Sequence, residues 1–226
     1  MAIRLMDDSD ERLAQVPEPS AFDYSLALAK IGALAFPFLG TGITLFDLVT
    51  APLRNKRFND WCETLRLRLN ELSQKVDGLT PQALATDDAF ISAFAQATQA
   101  VIRTHQKEKL DALRNAVLNV AVANAPSEDL QRMFLNLVDT FTPMHLEILA
   151  SIQSRNRATV AHLRNRRDEA DQAICELRDR GLINDTRLYT ARNRDSPDGL
   201  IFFDWDITNL GKQFLDFITS PEMVMS

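Results

Sequence analysis

The residues of this sequence best suited to chemistry are its arginines. Arg155, Arg157, Arg164, Arg166 and Arg167 form a run without an intervening acid, and Arg187, Arg192 and Arg194 follow around a loop-forming stretch. A guanidinium is permanently charged and presents a planar fork of donors. Such a cluster suits phosphate oxygens, the edge of guanine or an acidic protein surface. The charge is local. Residues 155–194 hold ten arginines against six acids, whereas residues 1–25 hold two against six, residues 54–141 balance eleven against eleven, and residues 195–226 set Lys212 against six acids. The net charge of −6 argues against a chain built mainly to bind nucleic acid.

Other chemistries find less support. His105, His145 and His162 are well separated and show no HExxH or Cys/His spacing, so no metal site is expected. No GxSxG, GxxxxGK or GxGxxG motif occurs, and Gly40-Thr41-Gly42 lies in an apolar turn without a third glycine. Asp87-Asp88 reads as helix N-cap chemistry rather than an acid–base pair. The charges of Lys107–Lys109 and Glu108–Asp111 fit a solvated helix face, and Trp61 and Cys62 fit a core. Cys62 and Cys175 lie far apart without a CxxC, which favours a reducing, cytoplasmic setting. Met1–Glu11 is acidic, unlike a secretory signal or transit peptide. The expectation is a protein without enzymatic activity, cofactor, metal or small-molecule ligand.

The elements that must position the arginines are mostly helical. With 226 residues, 46% apolar and only 7 Gly and 9 Pro, the chain can bury a core and leans toward helix. Residues 1–24 read as an acidic arm. Leu26–Leu53 is the most apolar segment, uncharged between Lys30 and Asp47 and interrupted by Pro37, Gly40 and Gly42, so two short helices are expected. Its residues Phe36, Pro37, Phe38, Leu39, Gly40, Gly42 and Phe46 suit either a buried hairpin or a membrane-interacting one; each arm is too short to span a bilayer.

Helical stripes follow. Phe58, Trp61, Leu65, Leu69, Leu72 and Val76 predict a helix over Leu53–Val76. Thr80-Pro81 is a cap followed by proline, and a helix from Asp87 or Asp88 buries Phe90, Phe94, Ala97 and Val101, with a possible break around Thr104–Gln106. Glu108–Asn124 turns Leu110, Leu113, Val117, Val120 and Ala121 inward, and Glu128–Phe141 turns Leu130, Phe134, Leu137 and Phe141. A helical domain over residues 25–141 is therefore expected.

After Thr142-Pro143 the pattern shortens. Helices are expected at His145–Gln153, Thr159–Arg164 and Asp168–Arg180, the last closed by Gly181 in a left-handed C-cap. Arg187–Ala191 and the alternation Ile201, Phe203, Trp205, Ile207 read as two strands around a loop at Asn193–Gly199, before a helix at Asn209–Ile218. Short helices, L-x-x-x-G-L-I, a hairpin and I-T-x-L-G-x-x-F-L together resemble a winged-helix module over residues 142–226. That resemblance implies a third helix in the DNA major groove and a wing on phosphates. Here the third helix carries Asp168, Glu169, Asp171, Glu176 and Asp179, which phosphate would repel.

The order of parts resembles a further family. An apolar turn at Pro37–Gly42, the basic Arg54-Asn55-Lys56-Arg57 leading into Trp61, E-K-x-x-x-L-x-N-A-V-x-N at Glu108–Asn119 and F-L-x-L-x-D at Phe134–Asp139 are similar to bacterial proteins of the abortive-infection Abi-alpha type. The resemblance covers about residues 30–218 and implies a helical, phage-defence-associated protein; its motifs are packing motifs. The leading expectation is a non-enzymatic helical interaction protein, in bacterial defence or stress response, that engages a protein partner or a second copy of itself. A DNA-binding regulator using the arginines and a membrane-active effector using residues 26–53 are the alternatives.

Overall fold

The computed structural model describes residues 45–156, 161–185 and 205–221, with side chains from residue 56 onward except at Arg164. Among these residues the fold is mainly helical: α1 (Leu45–Ser73), α2 (Pro81–Leu84), α3 (Asp88–Arg103), α4 (Lys107–Ala121), α5 (Glu128–Thr140), α6 (Pro143–Ser154), a 3-10 helix (Ala161–Arg166), α7 (Arg167–Asp179) and α8 (Asn209–Ile218). Strands β1 (Ile183–Asp185) and β2 (Trp205–Ile207) form a small antiparallel sheet near the C-terminus.

Local chemistry sets most helix ends. Asp87 Oδ1 accepts from the N–H groups of Ala89 and Phe90 at 2.9 and 3.2 Å and so opens α3. Thr80 does the same for α2 through Ala83 N–H at 3.1 Å. At the far end of α7, Leu182 N–H donates to Leu177 O and Gly181 N–H to Arg178 O, with Gly181 at φ +73°. This is the Schellman arrangement expected of Gly181, and it turns Leu182 back into the core.

Two boundaries differ from expectation. Helix α1 begins at Leu45, not near Leu53, and continues through Pro52. A proline removes one backbone donor, but flanking turns can carry the helix past it. The first strand is Ile183–Asp185, with Ile183 opposite Ile207, Asn184 opposite Asp206 and Asp185 opposite Trp205. Ile183, two residues past the Gly181 cap, therefore starts the sheet. Arg187–Ala191, Ile201, Phe203 and the loop Asn193–Gly199 lie outside the described residues, as does the acidic arm. So does the apolar turn with Phe36, Pro37, Phe38, Leu39, Gly40 and Gly42; Phe46 falls in α1, with only its backbone described. No described helix is long and apolar enough to cross a membrane.

One hydrophobic core runs through the described chain. Helices α1, α3, α4 and α5 pack around Leu65, Leu69, Phe90, Phe94, Leu113, Val117 and Phe134, all fully buried. Each such side chain contributes roughly 1.5–3 kcal/mol relative to exposure. Trp61 caps this layer, its Nε1 donating to Leu110 O at 3.0 Å. The core continues past residue 141, because α8 lies on α4 and α5 while also touching α6 and β2. Phe214 meets Phe134 edge-on at 5.3 Å and Phe141 at 6.2 Å. Segments 25–141 and 142–226 thus share an interior. Thr142-Pro143 marks a change of helix, and apolar packing passes across it.

Candidate functional site

Of the arginines that opened the sequence argument, Arg155, Arg166 and Arg167 have described side chains, at the end of α6 and at the junction of the 3-10 helix with α7. Arg155 sits just past α6 in the left-handed region, φ +50°. Its Nη2 reaches Asp206 Oδ1 on β2 at 2.7 Å, so it closes a helix end and ties that end to the sheet. Arg166 forks onto Glu169 with Nε 3.1 Å from Oε2, and Arg167 lies 3.9 Å from Asp171. Further along α7, Arg178 pairs with Asp179 at 2.8 Å. Arg166 draws the Glu169 carboxyl below its ordinary range, chiefly through the hydrogen bond, and is itself held more basic in return. Arg157, Arg187, Arg192 and Arg194 lie outside the described residues, as does the side chain of Arg164.

Between Arg166 and Arg180, four arginines meet the five carboxylates of Asp168, Glu169, Asp171, Glu176 and Asp179. Ala170, Ala173, Ile174 and Leu177 bury one side of α7. All five acids but Asp171 are exposed, and Asp171 is half-buried. The helix that a DNA-binding module would lay into a groove therefore faces solvent with an acid-rich surface on which Arg166, Arg167 and Arg178 are already paired.

Beneath this face lies His145, only 5% exposed. The Thr142 N–H donates to Nδ1 at 3.2 Å, which makes that nitrogen the acceptor and leaves the proton on Nε2. Nε2 then donates to Glu176 Oε2 at 2.9 Å, and Gln172 Nε2 donates to the other carboxylate oxygen at 2.9 Å. The hydrogen bonds from Gln172 and His145 hold the Glu176 carboxyl below its ordinary range. Thr142 Oγ1 stands 2.8 Å from Nδ1. A hydroxyl, imidazole and carboxylate in that order can activate a nucleophile. Here the single in-plane lone pair of Nδ1 is shared with a backbone N–H. The imidazole stacks on Phe141 with centroids 4.7 Å apart. The group thus closes the start of α6 as a capping box and latches it to α7. The separation of the histidines along the sequence gave no sign of this, because Glu176 comes from 31 residues away.

A second constellation went unnoticed in the sequence. Where α3 ends and α4 begins, Arg103, Thr104, His105, Gln106, Lys109 and Asp139 line an open cleft of about 460 Å³. Lys109 was expected on a solvated face. It is 7% exposed, with Nζ donating to Asp139 O at 2.7 Å. Burial, aided by the nearby Arg103 charge, lowers its pKa against the opposing pull of Asp139. Arg103 forms an ion pair with the Asp139 carboxylate, and Arg57 of α1 reaches Thr104 O at 3.4 Å. The i, i+2 spacing of Lys107 and Lys109 holds the only hint: residues two apart on a helix cannot share a face, so one of them had to turn inward.

Among the described residues no group of three His, Cys, Asp or Glu side chains stands close enough to hold a metal ion. The chain matches no family model, and neither curated proteins nor solved structures show a significant similarity to it. Its functional reading therefore rests on these surfaces.

Proposed function

We propose that this protein is a non-enzymatic helical interaction protein whose C-terminal part, built like a winged helix, engages a protein partner or a second copy of the chain. The observation that carries the reading is the outer face of α7. Its carboxylates neutralise Arg166, Arg167 and Arg178 on the same helix or at its start. Phosphate contacts would require these pairs to open and the remaining acids to approach a polyanion, a repulsion that counterion release does not offset. A protein surface offering donors, especially lysine or arginine, meets the same acids favourably.

The helix, 3-10 helix, helix, antiparallel strand pair and final helix run in winged-helix order, which supports that description of residues 142–226. The resemblance of the motifs at Pro37–Gly42, Glu108–Asn119 and Phe134–Asp139 to those of Abi-alpha-type abortive-infection proteins is what supports a place in bacterial defence or stress response.

Gel mobility of duplex DNA at two salt concentrations tests the reading. The expected result is no retardation even at low salt. Retardation at low salt that falls steeply as salt rises would favour the regulator alternative and overturn the proposal. Chemical cross-linking of the purified protein, followed by sedimentation, then distinguishes self-association from a need for another protein.

A further inference from the structure

The cleft between the end of α3, the start of α4 and the end of α5 stands apart from the α7 face and is independent of that reading. We infer that it binds a small molecule through a phosphate monoester group, with Arg103, Lys109 and His105 as the recognising side chains.

Size sets the class of ligand. At about 460 Å³ the cleft falls within the range of small-molecule sites, and inorganic phosphate would occupy a minor part of it. Its lining is polar throughout, so an apolar ligand has little to bury against.

Charge sets the recognised group. Asp139 is the one carboxylate in the lining, and its side chain is committed to Arg103. Lys109 donates to a neutral carbonyl, which uses one of its three protons. Two cations from adjacent helices thus face a single carboxylate, which pairs with Arg103 alone, and the Lys109 ammonium is held where water is scarce. A doubly charged oxyanion offsets both costs. His105, exposed at the rim, adds a third donor.

Geometry holds these groups ready. Lys109 places a donor on the Asp139 carbonyl at the C-terminal end of α5, where the helix dipole favours a cation. Helix α4 opens beside the cleft, and Gln106 makes no side-chain cap to its first N–H groups, which supplements the cationic side chains. The fold therefore holds the Lys109 ammonium in place before any ligand arrives, which lowers its ordering cost on binding.

The test is a titration of the isotope-labelled full chain followed by amide shifts. Glycerol 3-phosphate, inorganic phosphate and chloride are compared at equal ionic strength, with vesicles containing phosphatidic acid as a separate arm. Saturable shifts at His105, Gln106 and Lys107 are expected with glycerol 3-phosphate and none with chloride. Arg103→Gln, at an exposed side chain that folding does not depend on, should weaken the binding at least tenfold, and Lys109→Met likewise. Arg132→Gln, on the exposed side of α5, should leave it unchanged. Shifts that fail to saturate, or that respond equally to Arg103→Gln and Arg132→Gln, would overturn the site. Binding of inorganic phosphate alone, or tighter binding to the vesicles, would overturn the assignment to a soluble monoester.

Discussion

Asn119 Nδ2 lies 2.9 Å from Phe217 O and 2.8 Å from Thr219 O, so one buried amide in α4 holds the carbonyl end of a helix nearly a hundred residues later. Its Oδ1 accepts from Asn124 Nδ2 at 3.1 Å, which fixes the amide the right way round. Asn115 adds a donor to Ile218 O at 3.0 Å. The last carbonyls of α8 have no partners within the helix, and these asparagines supply them.

Asn119→Ala should therefore destabilise the fold by roughly 1–3 kcal/mol, the cost of leaving buried carbonyls unsatisfied. Asn119→Asp should cost more, since it puts a carboxylate against carbonyl oxygens at the negative end of a helix. Urea unfolding of the two variants measures the difference. Equal stability of both with the parent protein would show that the amide is not what holds α8.

Glu176→Ala should cost on the order of 1–3 kcal/mol, because it strands the Nε2–H of a histidine that is only 5% exposed. Glu176→Gln keeps an acceptor and should cost less than half of that. The folded carboxyl is more acidic than an ordinary glutamate, so its share of stability is complete above pH 4.5 and is lost as pH falls through the lowered folded pKa. Thermal melts of parent and Glu176→Gln at falling pH should converge. A gap that widens with acid would contradict the latch.

Two backbone sites should respond in opposite ways to the same pair of residues. A Cβ at Gly211 would lie 2.2 Å from Leu182 O and 2.7 Å from Ile207 Cγ1. Gly211→Ala should cost about 1–3 kcal/mol or more, through displacement of α8 from the sheet. Ala123, just past α4, already occupies the left-handed region at φ +54°. Ala123→Gly should stabilise by about 0.5–1 kcal/mol despite the added freedom of the unfolded chain. Unfolding midpoints of the two single variants decide both.

Burial pushes the Cys62 thiol up to about 12. At pH 8 about one molecule in ten thousand then carries the reactive thiolate. Both cysteines are half-buried, and a disulfide reagent should label Cys175 faster than Cys62 in the folded protein, with the difference lost in denaturant. Between pH 9 and about 12 the unfolded chain ionises Cys62 while the folded chain keeps it protonated, so stability falls across that window. Rapid labelling of Cys62 at pH 8 in the native protein would contradict its burial.

Much of the helical layout was legible before any coordinates. Stripes at steps of three and four placed Leu65, Leu69, Phe90, Phe94, Phe134 and Phe214 in the core, because a helix repeats its face at that interval. Asp87, Thr80 and Gly181 announced their caps, since each satisfies backbone groups within three residues of itself. Where the signal was equivocal the reading slipped. The helix expected from Leu53 begins at Leu45, and Ile183, for which no strand was expected, pairs with Ile207.

What the sequence by itself determined about this protein is local: helix positions, caps and an uneven distribution of charge. What only the tertiary structure decided is which distant groups meet. Arg155, Arg166 and Arg167, in a run free of acids in sequence, are met by acids in space, because Arg155 finds Asp206 from 51 residues away and α7 carries carboxylates one turn beyond Arg166 and Arg167. His145 acquired a carboxylate, and Lys109 left the surface for the end of α5. Electrostatic interactions fall with distance through space, not along the chain, so a string of charges carries no information about its own partners until the fold brings them within a few ångströms.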